Sequence, residues 1–361
     1  VQDARLVVLS AMDAHRLGAD VRVRTRCVSA HVEDGVWQAQ LLGPDGQMDS
    51  CRAKVLVNAC GPWAGRFLGD VLGRDRHPRV RLVKGSHIVL PRLFEHDHAY
   101  IFQQPDRRIV FAIPYEDDYT LVGTTDVDYA ADPANVVIDA GEVRYLCDAV
   151  NRYFRTPVQP KDVVWSYSGV RPLLDEDGNA STVSRDYRIT LDHEQGALLL
   201  NVFGGKITTY RRLAEEAVDQ LAEVLWPERS AWTAQGDPLP GGDFADAERL
   251  LAAWSQRWPW LPSSLAHRWF RHYGTCTETM LGEACAMGDL GEHFGADLYQ
   301  LELDYLIRAE WARSGDDVLW RRTKLGLRLS PVEHHRVHAY VARMVPMLVG
   351  ATAERAEAQS A

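Results

Sequence analysis

The stretch Asn201-Val-Phe-Gly-Gly-Lys-Ile-Thr-Thr-Tyr-Arg211 constrains this chain more than any other. Ala197–Leu200 and Val202–Phe203 form a short apolar run, as expected of a strand buried on both faces. Leu213, Ala217, Leu221 and Leu225 then recur at helical spacing, which predicts an amphipathic helix beginning near Thr209. Between them, Gly204 and Gly205 let the backbone turn sharply and let a ligand approach closely. The helix start presents free N–H groups and partial positive charge above the turn, and Lys206 adds a full charge. A turn of this kind suits an anion, or a ring that becomes anionic. The plainer reading is an ordinary strand–turn–helix with a surface lysine, since glycine-rich turns before helices are common.

The rest of the chain divides by character. Asp3 to Leu17 has helical spacing with Gly18 as a stop, and Val21–Thr25 alternates apolar and charged residues like a half-exposed strand. His31–Ser50 reads as hairpins turning at Glu33-Asp-Gly35 and Gly43-Pro-Asp-Gly46, and Val55–Asn58 as a further strand. From Arg79 to Trp165 short β-type runs dominate, which argues a mixed or antiparallel sheet, interrupted by a helix over Gly141–Phe154. After Pro238-Leu-Pro-Gly-Gly242 the sequence reads as helices separated by Gly and Pro. Eight of the eleven tryptophans lie between Trp226 and Trp320, enough bulk to fill a helical core. Ser330-Pro-Val-Glu333 is a strong helix start.

A formal net charge of −10 argues against nucleic acid as a partner. No apolar run approaches the ~20 residues of a membrane-spanning helix, which leaves peripheral attachment open. The six cysteines contain no C-x-x-C pair and read as reduced thiols in a cytoplasm-facing protein. His334 and His338 share a helix face, but a third ligand is lacking and no metal site is expected.

Four further motifs accompany the glycine turn: Val55-Leu-Val-Asn-Ala-Cys-Gly-Pro-Trp-Ala64, Lys84-Gly-Ser-His-Ile-Val-Leu-Pro91, Leu121-Val-Gly-Thr-Thr-Asp126 and Trp165-Ser-Tyr-Ser-Gly-Val-Arg-Pro-Leu173. Together, in this order, they resemble the FAD-dependent respiratory glycerol-3-phosphate dehydrogenases, and the resemblance runs from the first residues to about Arg343. It continues through Asp289-Leu-Gly-Glu-His-Phe-Gly295 and Trp320-Arg-Arg-Thr-Lys-Leu-Gly326. Members of that family open on a strand and a G-x-G-x-x-G turn that holds the FAD pyrophosphate. No such fingerprint occurs here, so the sequence is read as a C-terminal fragment of a longer enzyme.

The resemblance implies an α/β plus α fold. Residues 1–78 would be a partial FAD-binding domain, 79–165 a substrate-binding β-sheet domain, 166–237 a return to the FAD-binding domain, and 238–361 a helical C-terminal domain. It implies oxidation of sn-glycerol 3-phosphate to dihydroxyacetone phosphate by hydride transfer to FAD, with electrons passed to a membrane quinone. A peripheral position on the cytoplasmic face of the inner membrane follows from the same resemblance, with a homodimer as a further expectation.

Particular residues carry these expectations. Arg171 is the first candidate for the phosphate pocket, because a guanidinium fork binds phosphate bidentately; its plain alternative is a surface pair with Asp175 or Glu176. Arg185 matches a second family position, and Lys206 serves substrate, flavin or both. His87 is the best proton acceptor, since an ordinary imidazole pKa near ~6.5 suits a general base, and Asp126 is an orienting carboxylate or a turn-former. Val28, Ala59, Gly61 and Trp63 fall where the family contacts the adenosine and pyrophosphate end of FAD. Gly204, Gly205, Thr208 and Thr209 belong to the turn facing the flavin, where the threonines cap the helix or bond the pyrimidine edge. Two competing readings keep the fold: a related oxidase that uses oxygen, and a non-catalytic fragment unable to hold FAD.

Overall fold

The computed structural model describes residues 2–75, 78, 80–174, 186–228 and 237–360, with the backbone alone from 350 onward. The chain forms two compact units, Arg24–Ala234 and a second that joins Val1–Val23 to Gln235–Ala361. The first element, α1 (Asp3–Arg16), therefore belongs with the C-terminal helices and not with the strands that follow it.

In the larger unit, β1 (Arg26–Glu33), β2 (Val36–Leu42) and β3 (Met48–Ala53) form an antiparallel sheet. Asp34 and Gly35 both have positive φ, the two-residue turn that matches the twist of the strands it joins. Val21–Thr25 is not a strand: its alternation is met by coil and a turn at Arg24, and pairing begins at Arg26. A second sheet, ordered β11-β12-β4, contains β4 (Val55–Asn58), β11 (Tyr187–Glu194) and β12 (Ala197–Gly204). The β12–β4 pair is parallel, and Ala197–Asn201 are all buried, which explains the uninterrupted apolar run. The indole of Trp37 fastens the two sheets by donating to the Leu198 carbonyl at 2.7 Å.

The β4 strand leads into the short helical turn α2 (Ala64–Arg66) and then into the dominant sheet. Its strands are β5 (Val80–Pro91), β6 (Tyr100–Gln103), β7 (Ile109–Tyr115), β8 (Tyr119–Gly123), the short β9 (Val127–Asp128) and β10 (Trp165–Leu174). They run antiparallel in the order β10-β5-β8-β7-β6, with β9 on β5. One face packs on α3 (Ala140–Asn151), through Leu146 and Val150 against Ile88, Leu90, Val110 and Val122. Each such buried aliphatic side chain is worth about 2 kcal/mol. A capping box between Asp139 and Glu142 starts α3. Arg171 lies inside β10, whose ten residues pair with β5 throughout, so the return to the smaller sheet begins at β11. The glycine turn after β12 passes through a 3-10 turn, Ile207–Thr209, into α4 (Tyr210–Leu225).

The C-terminal unit contains α5 (Ala247–Arg257), α6 (Ser263–Tyr273), α7 (Cys276–Leu281), α8 (Gln300–Ala309) and α9 (Pro331–Ser360). A small hairpin, β13 (His293–Gly295) and β14 (Leu298–Tyr299), lies between α7 and α8. Trp254, Trp258 and Trp269 sit in its core, as the tryptophan density predicts. Ser330 and Glu333 bond each other's backbone N–H groups at the start of α9. Arg5 of α1 reaches the fully buried Glu310, which fastens α1 into this unit.

Candidate active site

Strand alternation puts the chemistry on the face of the large sheet opposite α3. Tyr167, His87, Gly123, Phe111 and Ile101 are successive register partners across β10, β5, β8, β7 and β6, so their positions form one row on that face. The His87 ring stacks on Tyr167, with centroids 4.9 Å apart and planes 8° from parallel. It also lies over Gly123, where an added Cβ would fall 2.7 Å from the His87 Cγ and Nε2. Two residues along β5, the Arg171 guanidinium covers Gly85: a Cβ there would fall 2.8 Å from Arg171 Cζ and 2.7 Å from Thr124 Oγ1. Cationic fork and imidazole thus share one patch.

Arg171 donates to Thr124 Oγ1 at 2.9 Å and forms an ion pair with Asp126. Asp126 is therefore the counter-charge of Arg171. Asp175 and Glu176, its alternative partners by sequence, lie outside the described residues, as does Arg185. The glycine turn comes up beside the same strand. A Cβ on Gly204 would lie 3.6 Å from the Pro172 carbonyl oxygen, and both glycines have positive φ, +72° and +98°. Only glycine adopts these angles without strain. Lys206 and Thr208 are exposed at this turn. Among the described residues neither N-cap side chain, Lys206 or Thr209, caps its helical turn, and Thr209 Oγ1 donates to the Lys206 carbonyl.

Behind this face is a buried polar layer. Lys84 Nζ lies 2.7 Å from Glu142 and 3.3 Å from Asp139. Burial opposes its charge, but the bonds and charges of Glu142 and Asp139 outweigh that and hold its pKa above the usual lysine value.

Of the remaining candidates, Val28 and Trp63 line a separate cleft of about 690 Å³ in the same unit, together with Cys60 and Phe67; Ala59 and Gly61 are the chain neighbours of Cys60. Val28 is the bulged residue of β1, lying between the register pairs Cys27↔Leu41 and Ser29↔Gln40. Its backbone is thus outside the ladder, which suits contact with a base edge. Ala59 is exposed, Gly61 has φ +54° with open space where a side chain would be, and the Trp63 indole donates to Asp132 at 3.2 Å. Cys27 and Cys60 also line the cleft, and burial raises both thiol pKa values, so neither is an activated nucleophile. The residues that would hold FAD are those of the cleft at Val28 and Trp63, the open Gly61 and the Gly204–Thr209 turn. The pyrophosphate fingerprint is absent from the sequence.

Gly85, Gly123, Thr124 and Tyr167 were not assigned roles from sequence. Two of them carried a signal, since a glycine within a β-run marks close approach of another group. His334 and His338 do different jobs: His334 Nε2 bonds the Gly326 carbonyl at 3.0 Å, while His338 lies 3.5 Å from Asp316.

Residues 1–211 match the family described as FAD dependent oxidoreductase, and residues 232–355 match the C-terminal domain of alpha-glycerophosphate oxidase. A glycerol-3-phosphate dehydrogenase of Pseudomonas aeruginosa is 48% identical over 344 residues, covering 94% of this chain and 67% of that protein. A D-erythritol 1-phosphate dehydrogenase of Brucella abortus is 43% identical over 337 residues, covering 92% and 67%. The structure of the glycerol-3-phosphate dehydrogenase from Bacillus halodurans complexed with FAD aligns with a TM-score of 0.78 at 25% identity, over 95% of this chain and 73% of that one. The chain belongs to the FAD-dependent glycerol-3-phosphate dehydrogenase family of oxidoreductases.

Proposed function

We propose that this protein oxidises the secondary alcohol of sn-glycerol 3-phosphate to the ketone of dihydroxyacetone phosphate. The observation that carries the reading is the placement of Arg171 and His87 on one patch of the large sheet, beside the Gly204–Lys206 turn. A phosphate dianion satisfies the Arg171 fork, with Arg185 and Lys206 adding charge. His87 takes the hydroxyl proton as the C2 hydrogen leaves with its electron pair. Tyr167 stacking and the Gly123 gap fix the plane of the imidazole. Bound FAD supplies the two-electron acceptor. In this division of labour β1–β4, β11 and β12 hold the cofactor, and the large sheet holds the substrate.

The same reading passes the electrons to a membrane quinone. Exposed apolar side chains on the site-bearing face of the large sheet, Ile101, Ile109, Phe111 and Ile113, favour an apolar acceptor over a polar one. No helix among the described residues is long and apolar enough to cross a membrane. A peripheral contact on the cytoplasmic face belongs to the same reading.

A second substrate is favoured by one comparison, the 43% identity to a D-erythritol 1-phosphate dehydrogenase. Both substrates offer a phosphate and a secondary alcohol. The test is anaerobic addition of each to FAD-loaded protein, followed by a quinone analogue or oxygen. Bleaching of the yellow flavin band by glycerol 3-phosphate at lower concentration than by erythritol 1-phosphate, with recovery on adding quinone, supports the proposal. The reverse preference replaces the substrate. Rapid recovery with oxygen and hydrogen peroxide release makes the protein an oxidase. Failure to retain FAD would make this chain a non-catalytic piece.

A further inference from the structure

The back of the large sheet carries a carboxylate that the reaction does not use. Glu142 is the N3 residue of α3, and only 6% of its surface is exposed. Its Oε2 takes the Asp139 backbone N–H at 3.0 Å and lies 2.7 Å from Lys84 Nζ. Its Oε1 accepts two hydroxyls, Ser86 Oγ at 2.9 Å and Thr125 Oγ1 at 2.7 Å. Four donors on one buried carboxylate exceed what a helix cap needs, since the capping role uses only the Asp139 N–H.

The two hydroxyls are the informative pair. Ser86 lies between Gly85 and His87 on β5, and Thr125 lies between Thr124 and Asp126 after β8. Each is thus flanked on both sides by residues of the opposite face: the platform under Arg171 and the imidazole in one case, the two groups that grip Arg171 in the other. Thr125 Oγ1 further accepts from the Ser86 N–H at 2.9 Å, and the Thr125 N–H reaches the Ser86 carbonyl at 3.4 Å. Ser86 Oγ and Ser168 Oγ are 2.8 Å apart, which ties in β10 three residues before Arg171 and on its opposite face. One carboxylate oxygen therefore bridges β5 and the 124–126 segment beside their direct Ser86–Thr125 bonds.

We propose that Glu142 is a positioning residue for the substrate anion: it holds Thr125, and through it Thr124 and Asp126, so that the Arg171 fork stands over Gly85 in the orientation that receives a phosphate. Lys84 Nζ, 2.7 Å away, supplies the counter-charge to this buried carboxylate. The proposal rests on the reading of Arg171 as the anion ligand. Glu142 touches neither substrate nor cofactor, and acts on affinity for the phosphate end more than on bond breaking.

The test uses FAD-loaded protein and steady-state kinetics with glycerol 3-phosphate, plus inorganic phosphate as a competitive probe. Glu142→Gln leaves one acceptor oxygen where two are used, so its NH2 must face either the two hydroxyls or Lys84 and the Asp139 N–H; it is expected to raise KM and the phosphate inhibition constant together by about tenfold, with kcat within about threefold. In an Arg171→Ala background the same substitution is expected to add nothing to KM. Thr125→Val is expected to reproduce the Glu142→Gln effect and Thr125→Ser to restore the parent values, a comparison that holds even if Glu142→Gln fails to fold. Unchanged KM in folded Thr125→Val, or an effect that persists undiminished without Arg171, overturns the positioning role. If Arg171→Ala itself leaves KM unchanged, the anion reading fails instead, and the two failures are thereby told apart.

Discussion

The Arg171 guanidinium occupies the space that any side chain at Gly85 would need, with Cζ 2.8 Å from the position of an added Cβ. The two residues are on neighbouring antiparallel strands, and the arginine crosses β5 to reach Thr124 and Asp126 beyond it. An anion pocket built this way depends on the missing methyl as much as on the charge.

Gly85→Ala should therefore act as a substrate-affinity mutation. The methyl group meets Arg171 and Thr124 Oγ1, both of which must shift, at a cost of about 1–3 kcal/mol in stability. KM for glycerol 3-phosphate is expected to rise by tenfold or more, with a smaller change in kcat. Steady-state kinetics alongside thermal unfolding checks this; a stable variant with unaltered KM would contradict the geometry.

Gly123 stands to His87 as Gly85 stands to Arg171. Its substitution by alanine pushes the imidazole off Tyr167, and the expected loss falls on kcat. His87→Gln removes the proton acceptor and should lower kcat by about 10²-fold while KM moves only a few-fold. Single-turnover flavin reduction measures the effect directly. Equal reduction rates in both variants and parent would assign the proton to another group.

Much of this arrangement was legible in local pattern. The buried run of β12, the glycine turn and the stripe of α4 each need only a window of about a dozen residues, as do the hairpin at Asp34-Gly35 and the cap of α9. What local pattern missed is contact between distant segments. Arg171 finds its counter-charge at Asp126, 45 residues away, and Gly85 and Gly123 acquire their roles only once the strand register is known. The grouping of α1 with the C-terminal helices hinges on Arg5 meeting Glu310 across 305 residues. At Val21–Thr25 the alternation was right for a strand, but Arg24 adopts φ +54°, which breaks extended pairing.

The core of the C-terminal unit holds a second carboxylate with a full set of donors. Glu302 is completely buried and accepts from both Nη atoms of Arg268 at 2.7 Å, from Trp269 Nε1 at 2.9 Å and from Tyr273 OH at 2.6 Å. Burial alone would raise its pKa, but the Arg268 charge and these bonds hold it below the usual glutamate value. Glu302→Leu leaves the guanidinium without its counter-charge and is expected to destabilise this unit by about 3–5 kcal/mol. Urea unfolding followed by tryptophan fluorescence reads the loss, since Trp254, Trp258 and Trp269 all lie in this core.

His272, one turn along α6 from Arg268, gives the unit an acid-sensitive element. Its Nδ1 donates to the Arg268 carbonyl at 2.8 Å, and it is 5% exposed. Burial, reinforced by the Arg268 charge, lowers its pKa to about 4, against an ordinary value of 6.5. The unfolded chain therefore binds a proton below pH ~6.5 that the folded unit refuses until about pH 4. Stability from this group is complete above the unfolded pKa and is lost as pH falls through that window, by about 2 kcal/mol between pH 7 and pH 5. Asp317, held below the usual aspartate value despite burial by bonds from Arg313 and Ser314, loses stability in the same direction. The contribution of His272 is isolated by comparing urea unfolding of the parent and His272→Gln at pH 7 and pH 5. The parent should lose about 2 kcal/mol more than the variant over that interval. Equal losses would mean that the imidazole charges in place without cost, which burial beside a guanidinium forbids.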